Sequence, residues 1–192
     1  MSTGDRKRPK KSVTDRQSRN SWLQAALQAL AKGGIDQVKV ESLARNLGVT
    51  KGSFYWHFKD REHFLDELLN FWADHSTQTV ITNPNYPTDS TARVRAVAED
   101  IVRRDLGDMD PHIRSWTQYD KRRARIVARI DKMRFEFLRN LFIAAGFSTS
   151  GADIRAQSLY RYALGEHFII VRESMSRRVQ RIQAHVDLLL QR

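Results

Sequence analysis

With 192 residues the chain is long enough for one compact domain or for a small domain joined to a larger one, and either can bury a core without a covalent staple. The complete lack of cysteine excludes disulfides, zinc ribbons and thiol nucleophiles, and points to a reducing cytoplasm. A net charge of +11 favours a polyanionic partner, because phosphate neutralisation with counterion release supplies most non-specific nucleic-acid affinity.

The charge is not confined to one end. Residues 1–58 carry a net +7, residues 59–74 a net −3 and the remainder another +7, so basicity alone does not locate a site. The opening MSTGDRKRPKK has no apolar signal-peptide segment behind it. The apolar clusters Phe168 to Val171 and Val186 to Leu190 are far shorter than a bilayer span. A cytoplasmic protein without a membrane partner is expected.

In chain order, residues 1–12 hold Arg6, Lys7, Arg8, Lys10 and Lys11 without apolar periodicity and read as a disordered basic arm. From about Thr14 a helix is expected, since Trp22, Ala25, Ala26, Ala29 and Leu30 recur at three- and four-residue spacing until Gly33-Gly34 stops it. A short helix over Val40 to Leu47 puts Leu43 and Leu47 on one face and ends at Gly48. After Gly48-Val49-Thr50, a helix of about two turns begins with Thr50 as its N-cap. A fourth helix starts at Asp60, with Phe64, Leu65, Leu68, Leu69, Phe71 and Trp72 as its apolar side, and dissolves near Thr82. The turn-rich segment 83–90, NPNYPTDS, reads as a linker. Beyond it the helical segments expected are Thr91 to Leu106, Pro111 to Trp116, Lys121 to Ala145, Gly151 to Ser174 and Arg177 to Leu190. The domains expected are therefore the arm (1–12), an N-terminal helical domain (13–82) and a C-terminal helical domain (83–192).

VKVESLARNLGVTKGSFYWHF has the spacing of a helix-turn-helix. Ala44 lets the second helix approach, Gly48 takes the left-handed conformation that ends the first, and Val49 plugs the gap between them. Thr50 starts the next helix, whose first turn presents Lys51 and the small residues Gly52 and Ser53. Phe54 and Phe58 face inward. Tyr55, Trp56 and His57 are left to the groove side and flanks, where they can donate to phosphate oxygens. Trp56 either stacks on a sugar or covers the hydrophobic layer.

Residues 14 to about 80 closely resemble the N-terminal DNA-binding domain of the TetR family of transcriptional regulators. SWLQAALQALAKGG, VESLARNLGVTKGSFYWHF and KDREHFLDELL follow the family's order and spacing over about a third of the chain. The resemblance implies an all-α fold, with an N-terminal three-helix helix-turn-helix domain and a C-terminal helical domain for ligand binding and dimerisation. It implies a repressor that binds a palindromic operator on double-stranded DNA as a homodimer and is released by a small-molecule effector. By resemblance Ala44, Thr50, Gly52 and Ser53 lie at or near the groove, Lys51, Tyr55 and His57 match positions that contact bases or backbone, and Arg61 matches a usual lysine. Lys39 stands where the family has a capping threonine. It cannot cap, but it can reach a phosphate.

In the last helix Val179, Ile182, Val186 and Leu189 form a narrow apolar seam, and the helix before it offers Leu159, Ala163 and Ile170, with Gly165 permitting close approach. Paired across a two-fold axis they make a four-helix dimer interface; packed within the chain they make core. Trp116, Tyr119, Phe142 and Tyr160 are candidate lining residues for an effector cavity, with Phe135 and Phe168 also available. An apolar or aromatic effector is preferred, and Arg134, Arg161 or His167 can anchor an acidic group.

The basic run Lys121, Arg122, Arg123, Arg125, Arg129 reads as a solvated helix face. Asp108, Asp110 and His112 read as a turn and helix start, not as a metal site, and neither a metal nor another cofactor is expected. No nucleophile with its base, phosphate-cradling glycine loop or paired-carboxylate motif stands out, so an enzyme is not expected. The competing reading is a small-molecule sensor that keeps the helix-turn-helix fold without a specific operator. A weaker one is a non-specific architectural DNA binder.

Overall fold

The computed structural model describes residues 13–169 and 173–192, with residues 13–18 described as backbone alone. The arm over 1–12 and the position Ile170 lie outside the described residues. Every regular element among the described residues is helical, and the chain divides into two compact units, 1–68 and 69–192.

The first unit holds α1 (Val13–Gly33), α2 (Val40–Leu47), α3 (Lys51–His57) and the start of α4 (Arg61–Ala73). Its core is Trp22, Leu23, Ala26 and Leu30 from α1, Val38, Leu43 and Ala44 around α2, Phe54 and Phe58 at α3, and Phe64, Leu65 and Leu68 from α4. The aromatic members interlock edge to face: Phe54 lies 5.4 Å from Trp22 and 5.2 Å from Phe64, and Phe58 lies 4.7 Å from Phe64. Such pairs add roughly 0.5–1.5 kcal/mol each beyond the area they bury, which is how a seven-residue helix is held firmly. Asp60 caps α4, its carboxylate accepting from the His63 amide at 2.8 Å.

The second unit contains the rest of α4, a π-helical segment (Asp74–Gln78), α5 (Thr79–Ile81), α6 (Ser90–Arg103), α7 (Asp110–Thr117), α8 (Lys121–Ala144), α9 (Thr149–Gly165) and α10 (Met175–Leu190). Asp89, Asp120, Ser148 and Ser174 cap α6, α8, α9 and α10 by accepting from first-turn amides. Residues 83–89 form turns within this unit, where the Tyr86 hydroxyl donates to Asp100 at 2.7 Å. Helix α9 stops at Gly165, well short of the expected Ser174. The chain then turns, with the Phe168 and Ile169 amides donating to the Gly165 carbonyl. A side chain at Gly165 would meet open space, so the glycine marks the helix end and not a close approach.

The apolar seam of α10 belongs to this unit's own core. Val179, Ile182 and Val186 are buried together with Leu159 of α9 and Val94, Val97 and Val102 of α6, and Leu189 packs at the edge of that cluster. Leu159, Val179, Ile182 and Val186, expected at a dimer interface, are therefore covered within the chain itself. Periodicity told which side of α10 is apolar, and α6 is what covers it.

Candidate nucleic-acid interface

The turn between α2 and α3 is set by Gly48, at φ 68° and ψ 27°, whose amide donates to Arg45 at 3.2 Å while the Val49 amide donates to Ala44 at 3.0 Å. This is the glycine-terminated helix end that satisfies the last carbonyls of α2. Buried Ala44 gives α3 room. Val49, expected to plug the gap, remains on the surface. Thr50 is the N-cap residue of α3, but its side chain makes no capping hydrogen bond; its carbonyl accepts from Ser53 at 3.0 Å. Lys39 precedes α2 without capping it, as a side chain with donors only must.

On α3 the buried residues are Phe54 and His57, with Phe58 immediately after, and the solvent-facing ones are Lys51, Gly52, Tyr55 and Trp56. Residues 51 and 55, like 52 and 56, stand one turn apart, so the four make one continuous patch. Ser53 sits half-buried at its edge, and Thr50, Arg61 and Lys39 are exposed around it. His57, expected on the groove side, is corrected: it is 9 % exposed because it lies three residues after Phe54, on the inward side. Trp56, left between two readings by the sequence, is 85 % exposed and covers no hydrophobic layer.

The Lys51 ammonium donates to the Glu41 carboxylate at 2.5 Å. This hydrogen bond, reinforced by charge attraction, holds the Glu41 carboxyl below its usual range and the Lys51 ammonium above it. Elsewhere in the unit Arg19 pairs with Glu67 and lies over the Phe58 ring, bracing the helices behind the exposed patch.

The second unit holds a small cavity of about 60 Å³. Of the aromatics expected there, only Tyr160 lines it: Phe142 is fully buried in the core, Trp116 lies beneath the Arg123 guanidinium, and Tyr119 is 91 % exposed. The walls are apolar, formed by Val80, Ile101, Leu106, Leu159, Ala163 and Leu164 together with Phe137. The polar groups belong to one network. Arg134 donates to Thr77 at 2.8 Å, to Ser76 at 2.7 Å and to Asp110 at 2.9 Å, and Arg114 bridges Asp110 at 3.1 Å and Asp131 at 2.6 Å. The Tyr160 hydroxyl donates to Asp131 at 2.7 Å. Burial pushes its phenol up to about 12. Burial alone would raise the Asp131 carboxyl, but the hydrogen bonds from Arg114 and Tyr160 outweigh it and hold that group below its ordinary range. The π-helical turn presents Ser76 and Thr77 to Arg134, an arrangement with no local signature in the residue pattern.

In the basic run of α8, Arg123 turns inward to Asp120 at 2.6 Å, while Lys121, Arg122, Arg125 and Arg129 stay exposed. Asp110 opens α7 fully buried between two arginines. Arg161 faces solvent beside Gln157, and His167 lines a separate open cleft with Glu166 and Arg178.

Two short helices joined by a left-handed glycine, the second braced by aromatic rings and bearing an exposed polar and aromatic patch, define a helix-turn-helix unit of the DNA-binding kind. Residues 23–68 match the family model of bacterial regulatory proteins, tetR family. The chain is 40% identical over 53 residues to the tetracycline repressor protein class D of Escherichia coli, covering 28% of this chain and 24% of that one. To the HTH-type transcriptional regulator AcrR of Shigella flexneri it is 33% identical over 52 residues, 27% of this chain and 24% of the other. The matched stretch therefore spans about a quarter of these relatives' own length. The fold extends further. A TetR-family regulator from Mesorhizobium loti superposes with a TM-score of 0.71 at 18% identity, over 93% of this chain and 98% of that one.

Proposed function

We propose that the protein is a DNA-binding transcriptional regulator that reads an operator with the exposed face of α3. The observation carrying this reading is that face itself: Lys51, Gly52, Tyr55 and Trp56 stand outward on a short helix whose other side is locked by Phe54 and Phe58. A cation, a small residue and two aromatics with hydrogen-bond donors suit close approach to base edges and phosphates. Thr50, Ser53, Lys39 and Arg61 are the flanking contacts, and Ala44 acts from beneath by admitting α3. Glu41 draws Lys51 aside until phosphate replaces it.

The protein works as a homodimer on a palindromic site, with half-sites about 34 Å apart as two-fold symmetry on B-DNA requires. With the α10 seam buried, the surface available for pairing is the outer side of α9 and α10. There Ile154 and Leu188 are 70 % and 64 % exposed, and Tyr162 stacks on His185 at 4.5 Å. Repression released by an effector follows from linkage: a small molecule that binds the DNA-incompetent state more tightly draws the population away from the operator. The cavity at Arg134 and Tyr160 is its site.

Selecting bound sequences from a random duplex pool tests the proposal. Enrichment of one palindromic sequence supports it. A pool with no enriched sequence favours the sensor without an operator, or the non-specific binder.

A further inference from the structure

Resting on the reading of that cavity as the effector site, the network at its polar end says which molecules it accepts. Arg134 is engaged at all three nitrogens: Nε with Thr77, one terminal nitrogen with both oxygens of Asp110 at 2.9 and 3.2 Å, the other with Ser76. Ser76 in turn donates to the Trp72 carbonyl at 2.7 Å. Arg114 pairs with both Asp110 and Asp131, so two guanidinium and two carboxylate groups cancel, and Tyr160, protonated at neutral pH, adds no charge. Asp110 is fully buried and Arg134 nearly so. An ionised ligand would place one uncompensated charge against apolar walls, or would have to break a buried pair to find a partner.

We infer that the effector is an uncharged, small, largely hydrocarbon molecule carrying at most one hydroxyl or carbonyl group, seated with that group toward Thr77 and Asp110. Thr77 accepts from Arg134 and keeps its own hydroxyl proton to donate. Asp110 retains lone-pair capacity at the oxygen that receives only the longer bond. At about 60 Å³ the cavity is smaller than such a molecule, so binding requires its apolar walls to open.

The experiment compares octan-1-ol, octanoate and octylamine, equal in length and different in charge at pH 7.5, by calorimetric titration of the full chain without DNA. Octan-1-ol is expected to bind saturably at one site per chain, the two ions at least ~30-fold more weakly, as desolvation of an unpaired charge dictates. Ala163→Phe, which fills the cavity from α9, is expected to abolish octanol binding while the variant keeps its melting cooperativity. Octanoate or octylamine binding as tightly as octanol, octanol binding indifferent to Ala163→Phe, or no saturable octanol binding would each overturn the inference. Because the readout needs no operator, a chain that binds octanol but selects no duplex would refute the regulator and leave the ligand class standing.

Discussion

Lys51 of α3 and Glu41 of α2 form a hydrogen-bonded ion pair, 2.5 Å from Nζ to Oε1, across the turn of the helix-turn-helix. Both side chains are more than half exposed, so the pair contributes little to stability. Its consequence is competitive, since a phosphate must displace Glu41 to engage Lys51.

Glu41→Gln is accordingly expected to tighten operator binding several-fold at low salt, with a smaller effect at high salt where the competing charge is screened. Lys51→Ala is expected to weaken binding and to reduce the slope of log K against log salt by about 1, the signature of one lost phosphate contact. Fluorescence anisotropy across a salt series reads both. Unchanged affinity in both variants removes Lys51 from the interface.

Gly52 has no structural need to be glycine. A side-chain carbon there would meet only the Thr50 hydroxyl at an ordinary 3.6 Å. Gly52→Ala is therefore expected to leave the melting temperature unchanged or raise it, by up to ~1 kcal/mol of helix propensity. Operator affinity is expected to fall about tenfold as the methyl group meets the groove, within the range of a lost base contact. A stable variant with full affinity would show that α3 does not approach DNA at this position.

Ile154→Glu and Leu188→Glu place charges on the outer side of α9 and α10 without entering the core. Each is expected to shift the sedimentation coefficient from dimer to monomer at micromolar concentration while helicity is retained, because burying an unpaired carboxylate at an interface is strongly unfavourable. If both variants still sediment as dimers, pairing uses another surface.

Acid should weaken the second unit through Asp131. Its carboxyl sits below the ordinary value in the folded chain, so the stability it contributes is present above about pH 3.9, the unfolded value, and is lost as pH falls through the lower folded one. Asp131→Asn is expected to flatten that part of the stability profile. Urea denaturation between pH 5 and 2.5 measures it, and parallel profiles for the two proteins would contradict the assignment.

What the sequence disclosed and what it withheld divide by distance along the chain. Gly48, Asp60 and the Phe54 and Phe58 pair were readable because a helix end, a cap and a one-turn spacing are local signals, and each holds in the fold. His57 was misjudged for lack of a neighbour to fix the rotation of a two-turn helix, and Trp56 stayed ambiguous for the same reason. On α10 the apolar side was legible but its partner α6, some eighty residues earlier, was not. At the cavity's polar end Tyr160 and Arg134 stand out as single candidates in the sequence, but the network that joins them does not. Ser76, Asp110 and Tyr160 come from three elements with no common motif, and only the fold makes them neighbours of Arg134.

The most direct measurement is the ratio of affinities for the selected palindromic duplex and for a scrambled duplex of the same composition, taken at about 150 mM salt with the intact protein. A ratio of ~10³ or more is the result predicted for a regulator whose α3 reads sequence. Equal affinity for the two duplexes would contradict it, leaving a protein held to DNA by charge alone.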